Sequence, residues 1–353
     1  MTTPSFAHRI IAWQQVSGRH DLPWQGTRDA YRIWLSEIML QQTQVATVIP
    51  YYQRFLARFP TILALADAAD DEVMQLWAGL GYYARARNLL RAARAVVALH
   101  GGVFPREFAA IQALPGIGRS TAAAIAAFAY GESRAILDGN VKRVFARHFG
   151  VGGDISSKTV QDRLWAIAES ALPSSHIEAY TQGLMDLGAT LCARSKPACL
   201  LCPVQASCVA HGEGRVSELP GQRIRRERPH KTTQMLVLLA EGEVLLEKRP
   251  ATGIWGGLWS LPEVMVGESG AAVARARLGV EGKRPRKLAV VEHGFTHYAL
   301  SIVPVLIEVT ARPMPAMPAT APGLKWVALD AAADAGVPAP VKRILRSLIN
   351  GHL

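Results

Sequence analysis

The stretch Leu114-Pro115-Gly116-Ile117-Gly118, followed at once by Arg119-Ser120-Thr121, lies between two segments of helical character. Proline and glycine favour a tight turn here, and glycine leaves the backbone amides of the turn unshielded. The helix that follows points the positive end of its dipole outward. Such a hairpin can hold one phosphate group of a nucleic acid without reading its sequence. A plain connection between two helices would have the same residues, so the phosphate site needs support from the rest of the chain.

Helical periodicity extends well beyond this hairpin. From residue 6 to about residue 190, apolar residues recur at three- and four-residue spacing, and glycines and prolines separate the periodic segments. The pattern predicts an all-helical region. The predicted helices are Phe6–Val16, Asp29–Phe59 with a break at Pro50, Glu72–Trp77, Ala84–His100, Ser120–Tyr130 and Val141–Phe149.

The sequence changes character after Cys208. Residues 213–231 are poor in apolar side chains and rich in arginine, which predicts an exposed basic linker. Strand-like runs follow at Gln234–Ala240, Val244–Lys248, Lys287–Glu292 and Thr296–Val309, and a closing helix at Pro340–Ile349. We therefore predict a multidomain protein: an all-α domain at residues 1–212, the linker at 213–231 and an α+β domain at 232–353.

Composition narrows the class of protein. The chain has 353 residues and a net charge of +11, and basic residues outnumber acidic ones in both halves. A polyanionic partner is one explanation of this positive charge, and solubility in an organism whose proteins are rich in arginine is another. No apolar run approaches the ~20 residues that cross a bilayer, and the first residues lack the apolar stretch of a secretory signal. We expect a soluble, cytoplasmic protein with no membrane partner.

The cysteines are the strongest compositional signal. All four lie close together, as Cys192, Cys199, Cys202 and Cys208, with the spacing C-x6-C-x2-C-x5-C. A secreted disulfide framework would spread its cysteines along the chain, whereas a close-set quartet in a cytosolic protein predicts metal ligation. Zinc and an iron–sulfur cluster both accept four thiolates. The spacing alone leaves both possible.

A carboxylate motif completes the picture. Ile136-Leu137-Asp138-Gly139-Asn140-Val141 places Asp138 just before a helix. Together the hairpin, this aspartate and the cysteine quartet resemble the helix-hairpin-helix DNA glycosylases of the endonuclease III superfamily, over roughly residues 6–212. The resemblance implies that the quartet holds one [4Fe–4S] cluster. It also implies that Gly116, Gly118 and Ser120 of the hairpin contact DNA.

Two features select a branch of that superfamily. The stretch from Trp34 to Gln44, with Glu37 inside it, is similar to the signature of the MutY-type adenine DNA glycosylases. Ser120 stands where strand-cleaving relatives carry a lysine, and serine cannot form a Schiff base. The resemblance therefore implies a monofunctional, monomeric enzyme. Its expected substrate is double-stranded DNA in which adenine is mispaired with 8-oxoguanine or guanine.

Two carboxylates can divide the chemistry of base excision. Breaking an N-glycosidic bond needs a proton on the departing base and a negative charge near the sugar. Glu37 sits among apolar residues, which favours its protonated form and suits a general acid. Asp138 precedes a helix N-terminus, which favours its ionised form and suits stabilisation of the oxocarbenium ion. Alone, Glu37 could equally be a surface acid and Asp138 a helix cap.

Further residues take supporting roles by resemblance. Enzymes of this class flip the target base out of the duplex, so other side chains must fill the gap and line the base pocket. Asn140 would orient Asp138 or a water molecule, and Lys142 would contact phosphate or react adventitiously with the abasic sugar. The residues expected to contact DNA or the base are Trp24, Leu40, Gln41, Gln42, Tyr82 and Gln182.

The C-terminal domain resembles a Nudix hydrolase that has lost its metal site. Gly257 and Glu263 match the start of the Nudix box, but alanines and one arginine occupy the later carboxylate positions, at residues 271–276. The resemblance implies a Nudix-like domain that recognises 8-oxoguanine. Phe295, Thr296 and His297 are similar to the family's Phe-Ser-His loop, and Thr296 keeps the hydroxyl group.

Two other functions remain possible from the residues alone. One is a glycosylase that removes another base, such as an oxidised pyrimidine or a mismatched thymine, and cleaves the strand. The other is a nucleotide-pool pyrophosphatase tethered to DNA. Ser120 argues against the first, and the incomplete Nudix box argues against the second.

Overall fold

The computed structural model describes residues 5–221, 228–295, 297–311 and 323–351. They form two compact units. The first contains residues up to Asp67 together with Arg91–Arg225, and the second contains Ala68–Leu90 together with the residues from Arg226 onward. Three arginines of the predicted linker, Arg223, Arg225 and Arg226, lie outside the described residues, as does Thr296. No helix within the described ranges is long and apolar enough to span a bilayer.

Helices account for the regular structure up to Gly212, apart from two short 3₁₀ turns at Cys199–Leu201 and Gln205–Ser207. Their bounds are α1 Phe6–Ser17, α2 Ala30–Leu40, α3 Val45–Arg58, α4 Ile62–Ala66, α5 Asp70–Trp77, α6 Ala84–His100, α7 Phe108–Ala113, α8 Arg119–Tyr130, α9 Gly139–His148, α10 Lys158–Ser170, α11 Ile177–Thr190 and α12 Val209–Gly212.

The predicted break at Pro50 is wrong in position. Pro50 lies inside α3, and the chain instead breaks between α2 and α3. Gln42 adopts a left-handed backbone (φ 57°) there, which ends the first helix and redirects the chain. Proline removes only one hydrogen bond from α3, and Val48, Tyr52 and Phe55 on its buried face keep the helix together.

The hairpin between α7 and α8 forms as the sequence predicted. Gly116 has a positive φ of 80°, a conformation that favours glycine. Gly118 is the N-cap of α8, and Gly131, in the left-handed region, is its C-cap. Leu114 and Ile117 point into the core at 4% and 6% exposure, so the turn is anchored from inside while its backbone faces outward.

Small side chains let the helices of the first unit pack closely. Residues 122–127 of α8 are buried and, apart from Ile125, all alanine. Phe145 of α9 and Leu187 of α11 are fully buried in the same core. On α2, Trp34, Leu35 and Met39 have no exposed surface. Each such buried side chain contributes roughly 1.5–3 kcal/mol, so α2, α8, α9 and α11 are held rigidly.

The second unit is built on a mixed sheet. Strands β1 and β7 run parallel at its centre, and every other pairing is antiparallel. Helices from the C-terminal part of the chain accompany the sheet, and α5 and the start of α6 belong to the same unit. The predicted two-part fold class is confirmed. The elements are β1 His230–Ala240, β2 Glu243–Lys248, β3 Trp259–Ser260, β4 Glu263–Val264, α13 Gly270–Leu278, β5 Glu281–Lys287, β6 Val291–Gly294, β7 Ala299–Ala311, β8 Leu324–Ala328, α14 Leu329–Ala332 and α15 Ala339–Ile349.

One predicted strand divides differently. The run Lys287–Glu292 was expected to be a single strand, but it contains the end of β5 and the start of β6. Both strands pair with β7, β5 near Val305 and Leu306 and β6 near Ile302 and Ser301. Both therefore use the same edge of β7, one after the other.

Candidate active site and metal centre

Glu37 projects from the middle of α2 into a cleft of about 1090 Å³. The residues around it on the helix, from Trp34 to Met39, are otherwise buried. Burial, and after it the charge of Asp138, raises the pKa of Glu37 to about 8. At neutral pH this carboxyl group therefore carries a proton.

Asp138 lies in the same cleft and caps α9. Its Oδ1 accepts a hydrogen bond of 2.7 Å from the backbone N–H of Val141. Burial raises the pKa of Asp138, whereas the backbone N–H groups of Val141 and Asn140, and then Arg143 and Lys142, act in the opposite direction. Glu37 has no such donors among the causes of its shift. Of the two carboxyl groups, that of Asp138 is therefore the one whose ionised form is better stabilised.

Six of the expected site residues line this one cleft. They come from the loop after α1, from α2, from the α9 N-terminus and from α11, and they are Trp24, Glu37, Leu40, Asp138, Asn140 and Gln182. Trp24 is nearly buried, at 8% exposure, and packs edge-on against Tyr52. An open cleft, an aromatic side chain and two carboxyl groups thus meet in the first unit.

Ser120 connects the hairpin to the aspartate. Its Oγ accepts a hydrogen bond of 2.9 Å from the backbone N–H of Leu137, the residue before Asp138. Gln41 donates from Nε2 to Thr121 Oγ1 at 3.3 Å. The hairpin helix is therefore tied both to the Asp138 turn and to the end of α2. Lys142 is half-buried in the first turn of α9, where its backbone N–H bonds to the carbonyl of Asp138.

Sequence reasoning missed a buried ion pair in the cleft wall. Asp186 of α11 has no exposed surface and accepts from the backbone N–H of Arg19 at 2.9 Å and from its Nε at 2.7 Å. The same carboxylate accepts from Gln182 Nε2 at 2.8 Å. A carboxylate on the apolar side of a helix, between Met185 and Leu187, was the signal that could have revealed it.

Arg143 was a second omission. It donates to Asn140 Oδ1 at 2.8 Å, to the Gly188 carbonyl at 2.6 Å and to the Cys192 carbonyl at 2.8 Å. A single guanidinium group therefore joins the residue beside Asp138 to the first cysteine of the quartet. Its position three residues after Asn140 on a helix placed both side chains on one face.

The four cysteines line one small cavity, as their spacing predicted. Arg147, at 4% exposure, borders it and donates to Cys192 Sγ at 3.4 Å, the Ala193 carbonyl at 2.7 Å and the Leu219 carbonyl at 2.8 Å. Burial raises the pKa of Cys202 to about 11. Within the described ranges, no three His, Cys, Asp or Glu residues are grouped so as to hold a single metal ion.

The remaining expected residues lie in the second unit. Tyr82, in the turn between α5 and α6, is 46% exposed and has a positive φ of 48°. Phe295 stacks on Tyr298 with ring centroids 4.7 Å apart, and His297 is exposed. The carboxylate positions of the Nudix box are on α13, where alanines and Arg275 stand. Glu263 instead pairs with Arg249 at 2.7 Å.

Comparison with known proteins identifies the family. Residues 35–170 match the model of the HhH-GPD superfamily base excision DNA repair proteins. An adenine DNA glycosylase of Buchnera aphidicola from Acyrthosiphon pisum is 35% identical over 98% of both chains. The chain belongs to the adenine DNA glycosylases. The rat adenine DNA glycosylase is 34% identical over 97% of this chain and 77% of its own length.

Solved structures agree on the fold of the helical part. A thermostable thymine-DNA glycosylase is 32% identical, with a TM-score of 0.54 over 59% of this adenine DNA glycosylase and 95% of that chain. Endonuclease III from a DNA complex shares the fold at 21% identity and a TM-score of 0.50, over 58% of this chain and 92% of its own. Residues 234–347 match the NUDIX domain model, which accounts for the C-terminal part of the enzyme.

Proposed function

We propose that this enzyme excises adenine mispaired with 8-oxoguanine or guanine from double-stranded DNA, as a monofunctional monomer. The observation that carries the proposal is the pair of carboxyl groups in one cleft, Glu37 with its pKa raised to about 8 and Asp138 with two backbone N–H donors. Two carboxyl groups held in different environments can serve one as acid and the other as anion.

Glu37 would act first as a general acid. A flipped adenine in the cleft lies against the α2 wall, and the neutral carboxyl group of Glu37 donates its proton to the adenine ring. Protonation makes adenine a better leaving group as the bond to the sugar stretches. Trp24 and Leu40 offer apolar contact to the base, and Gln182 offers a polar edge.

Asp138 would then meet the positive charge that develops on the sugar. Its carboxylate, fixed by the Val141 N–H, stabilises the oxocarbenium ion or bonds briefly to the sugar carbon. A water molecule, oriented by Asn140, completes the hydrolysis and passes its proton to the carboxylate pair. Ser120 offers no amine, so strand cleavage through a Schiff base is not expected. Lys142 is proposed to contact phosphate or to react adventitiously with the abasic sugar.

The hairpin would hold the duplex together with the loop of Phe295, Thr296 and His297, which we call the reading loop. The outward backbone of Gly116 and Gly118 suits one phosphate group. Gln41 and Gln42 are proposed to fill the gap that the flipped base leaves or to hold the orphaned base. Tyr82 is proposed to intercalate between bases. Phe295, Thr296 and His297 are proposed to recognise 8-oxoguanine in the opposite strand.

We further propose that Cys192, Cys199, Cys202 and Cys208 hold one [4Fe–4S] cluster. The residues fit such a group because four thiols line one cavity and the Arg147 guanidinium lies beside Cys192 Sγ, where it offsets thiolate charge. When bound, the cluster supplies no step of hydrolysis and fixes the loop from Cys192 to Cys208. Arg194 and Lys196 in that loop are then available to DNA phosphates.

One assay tests the proposal. Purified protein is incubated under single-turnover conditions with duplexes that contain A:8-oxoG, A:G, T:G or thymine glycol, with and without alkali. Breaks at A:8-oxoG and A:G that need alkali support it. Breaks without alkali, or at thymine or thymine glycol, would favour the strand-cleaving alternative. Hydrolysis of nucleoside triphosphates with no excision would favour the pyrophosphatase.

A further inference from the structure

The segment Ala68–Leu90 belongs to the same compact unit as the Nudix-like sheet, although it lies within the helical part of the sequence. It contains α5, the turn with Tyr82 and the start of α6. Three of its side chains, Asp71, Gln75 and Arg87, bond to the C-terminal part of the chain. The turn that carries Tyr82 is therefore attached to this sheet on both sides.

The attachment before Tyr82 is electrostatic. Asp71 forms an ion pair with Lys248 and accepts from Trp259 Nε1 at 3.2 Å. Lys325 lies over the same indole ring at 4.1 Å from its centroid. Gln75 adds a hydrogen bond of 2.8 Å from Nε2 to the carbonyl of Asp334. These contacts fix α5 against the edge formed by β2, β3 and β8.

The attachment after Tyr82 includes a short hydrogen bond from Arg87. Arg87 Nη1 donates to the Gly256 carbonyl at 2.6 Å. The peptide that receives it has little freedom, because a Cβ on Gly256 would lie 2.6 Å from the Ala251 carbonyl oxygen. Gly257 beside it has a positive φ of 78°, and its Cβ position is 3.8 Å from Arg87 Cδ. Arg87 thus contacts this turn both at the Gly256 carbonyl and beside Gly257.

The turn leads directly to the proposed reading loop. Trp255, next to Gly256, has a positive φ of 54°, which is unfavourable for a bulky residue and must be held by its surroundings. Its ring centroid lies 5.3 Å from that of Phe295 and 5.7 Å from that of His293. Contacts therefore run from Arg87 through Gly256 and Trp255 to Phe295.

We propose that Arg87 is a positioning residue for the discrimination of 8-oxoguanine from guanine. Arg87 holds the Gly256 turn, and with it Trp255, in place beside Phe295. Arg87 lies on α6, which begins just after Tyr82. Tyr82 and the reading loop are thereby kept in one rigid arrangement. This inference rests on the proposed function, and it assigns Arg87 no contact with DNA.

The test is Arg87→Met, which keeps the side-chain stem and removes the donor. Single-turnover excision rates are measured on A:8-oxoG and A:G duplexes, and the ratio of the two is the readout. We expect that ratio to fall about tenfold, equivalent to about 1.4 kcal/mol, with little change in the rate on A:G. Arg87→Lys retains one donor for the single carbonyl and is expected to keep most of the preference.

Arg94→Met is the matched control, because Arg94 also lies on α6 and also donates to one carbonyl, that of Ala66, at 3.2 Å. It should leave the ratio unchanged. In a Phe295→Ala background, Arg87→Met should cause no further loss, since both changes interrupt one route. Trp255→Leu interrupts the same series of contacts without changing Arg87. This variant replaces Arg87→Met in the test if Arg87→Met fails to fold.

The outcomes separate this inference from the proposed function. A wild-type enzyme that does not excise adenine opposite 8-oxoguanine would refute the proposed function itself. A wild-type enzyme with a clear preference, retained in Arg87→Met and Trp255→Leu, would overturn only the role of Arg87. Additive losses with Phe295→Ala, or an equal loss in Arg94→Met, would overturn it as well.

Discussion

Ser120 Oγ accepts a hydrogen bond from the Leu137 backbone N–H at 2.9 Å, which joins the hairpin proposed to bind DNA to the turn that presents Asp138. The residue that marks the missing lysine of strand-cleaving relatives thus has a structural task here. Leu137 is 3% exposed, so its N–H has little access to water as a substitute partner.

Ser120→Ala should therefore slow excision by loosening the Asp138 turn. A buried donor without a partner costs about 1–3 kcal/mol, and the loss should appear in the free energy of unfolding as well as in the single-turnover rate. Duplex affinity should change little. Unaltered stability and rate together would show that the bond is dispensable.

Glu37 gives the enzyme a defined dependence on pH. Because its pKa is raised to about 8, its acid form persists through neutrality, and excision should fall as pH rises past about 8. The bound proton also stabilises the fold, fully so below the ordinary glutamate pKa, and this contribution is lost as pH rises through about 8. Glu37→Gln should abolish excision, keep duplex affinity and give a melting temperature that depends less on pH between the ordinary glutamate pKa and about 8. The limits pH 7 and pH 9 lie roughly one unit below and above the pKa of Glu37. A wild-type excision rate that does not change between them would contradict the role of Glu37 as general acid.

Asp138→Asn should stop excision while it leaves duplex binding nearly intact. The amide still accepts from the Val141 N–H, so the α9 cap survives, but the negative charge beneath the sugar is lost. Filter binding with an uncleavable duplex and single-turnover kinetics would separate the two effects. If Asp138→Asn still excises adenine, the proposed role of Asp138 in the mechanism is wrong.

Asp186→Asn should weaken both the fold and the base pocket. The substitution removes charge-assisted acceptors from Arg19 and Gln182, and such bonds are worth about 1.5–3 kcal/mol each. We expect a lower melting temperature and a slower excision of adenine. As a comparison, Asp162→Asn changes an exposed aspartate paired only with Lys158 on α10, and it should leave both quantities unchanged.

Phe295→Ala, alone or with Thr296→Ala, should lower the preference for 8-oxoguanine over guanine without stopping adenine removal. Phe295 stacks on Tyr298 and contacts Trp255, so its loss removes the apolar support of the reading loop. Rates on A:8-oxoG and A:G duplexes give the measurement. An unchanged ratio would refute the proposed role of this loop.

The sequence predicted those features that depend on local chemistry. Gly116 and Gly118 predicted the hairpin, and the spacing of apolar residues predicted α1, α6 and α8. The cysteine spacing predicted that four thiols would lie around one cavity. The break between α2 and α3 escaped prediction because Pro50 is a stronger local signal than the left-handed Gln42. Arg143 and Asp186 escaped because each has a partner that is distant in sequence. The packing of α9 against α11 brings Arg143 to the Gly188 carbonyl, and the packing of α1 against α11 brings Arg19 to Asp186.

Arg147 has a consequence for the order in which the molecule is assembled. From α9 it bonds to carbonyl oxygens of Ala193 and Leu219 and to the sulfur of Cys192, so it gathers both ends of the cysteine-bearing segment around one side chain. The observed arrangement of that segment depends on α9 being in place, because Arg147 contacts the segment from that helix. We therefore expect the helical core to form first and the proposed cluster to bind last.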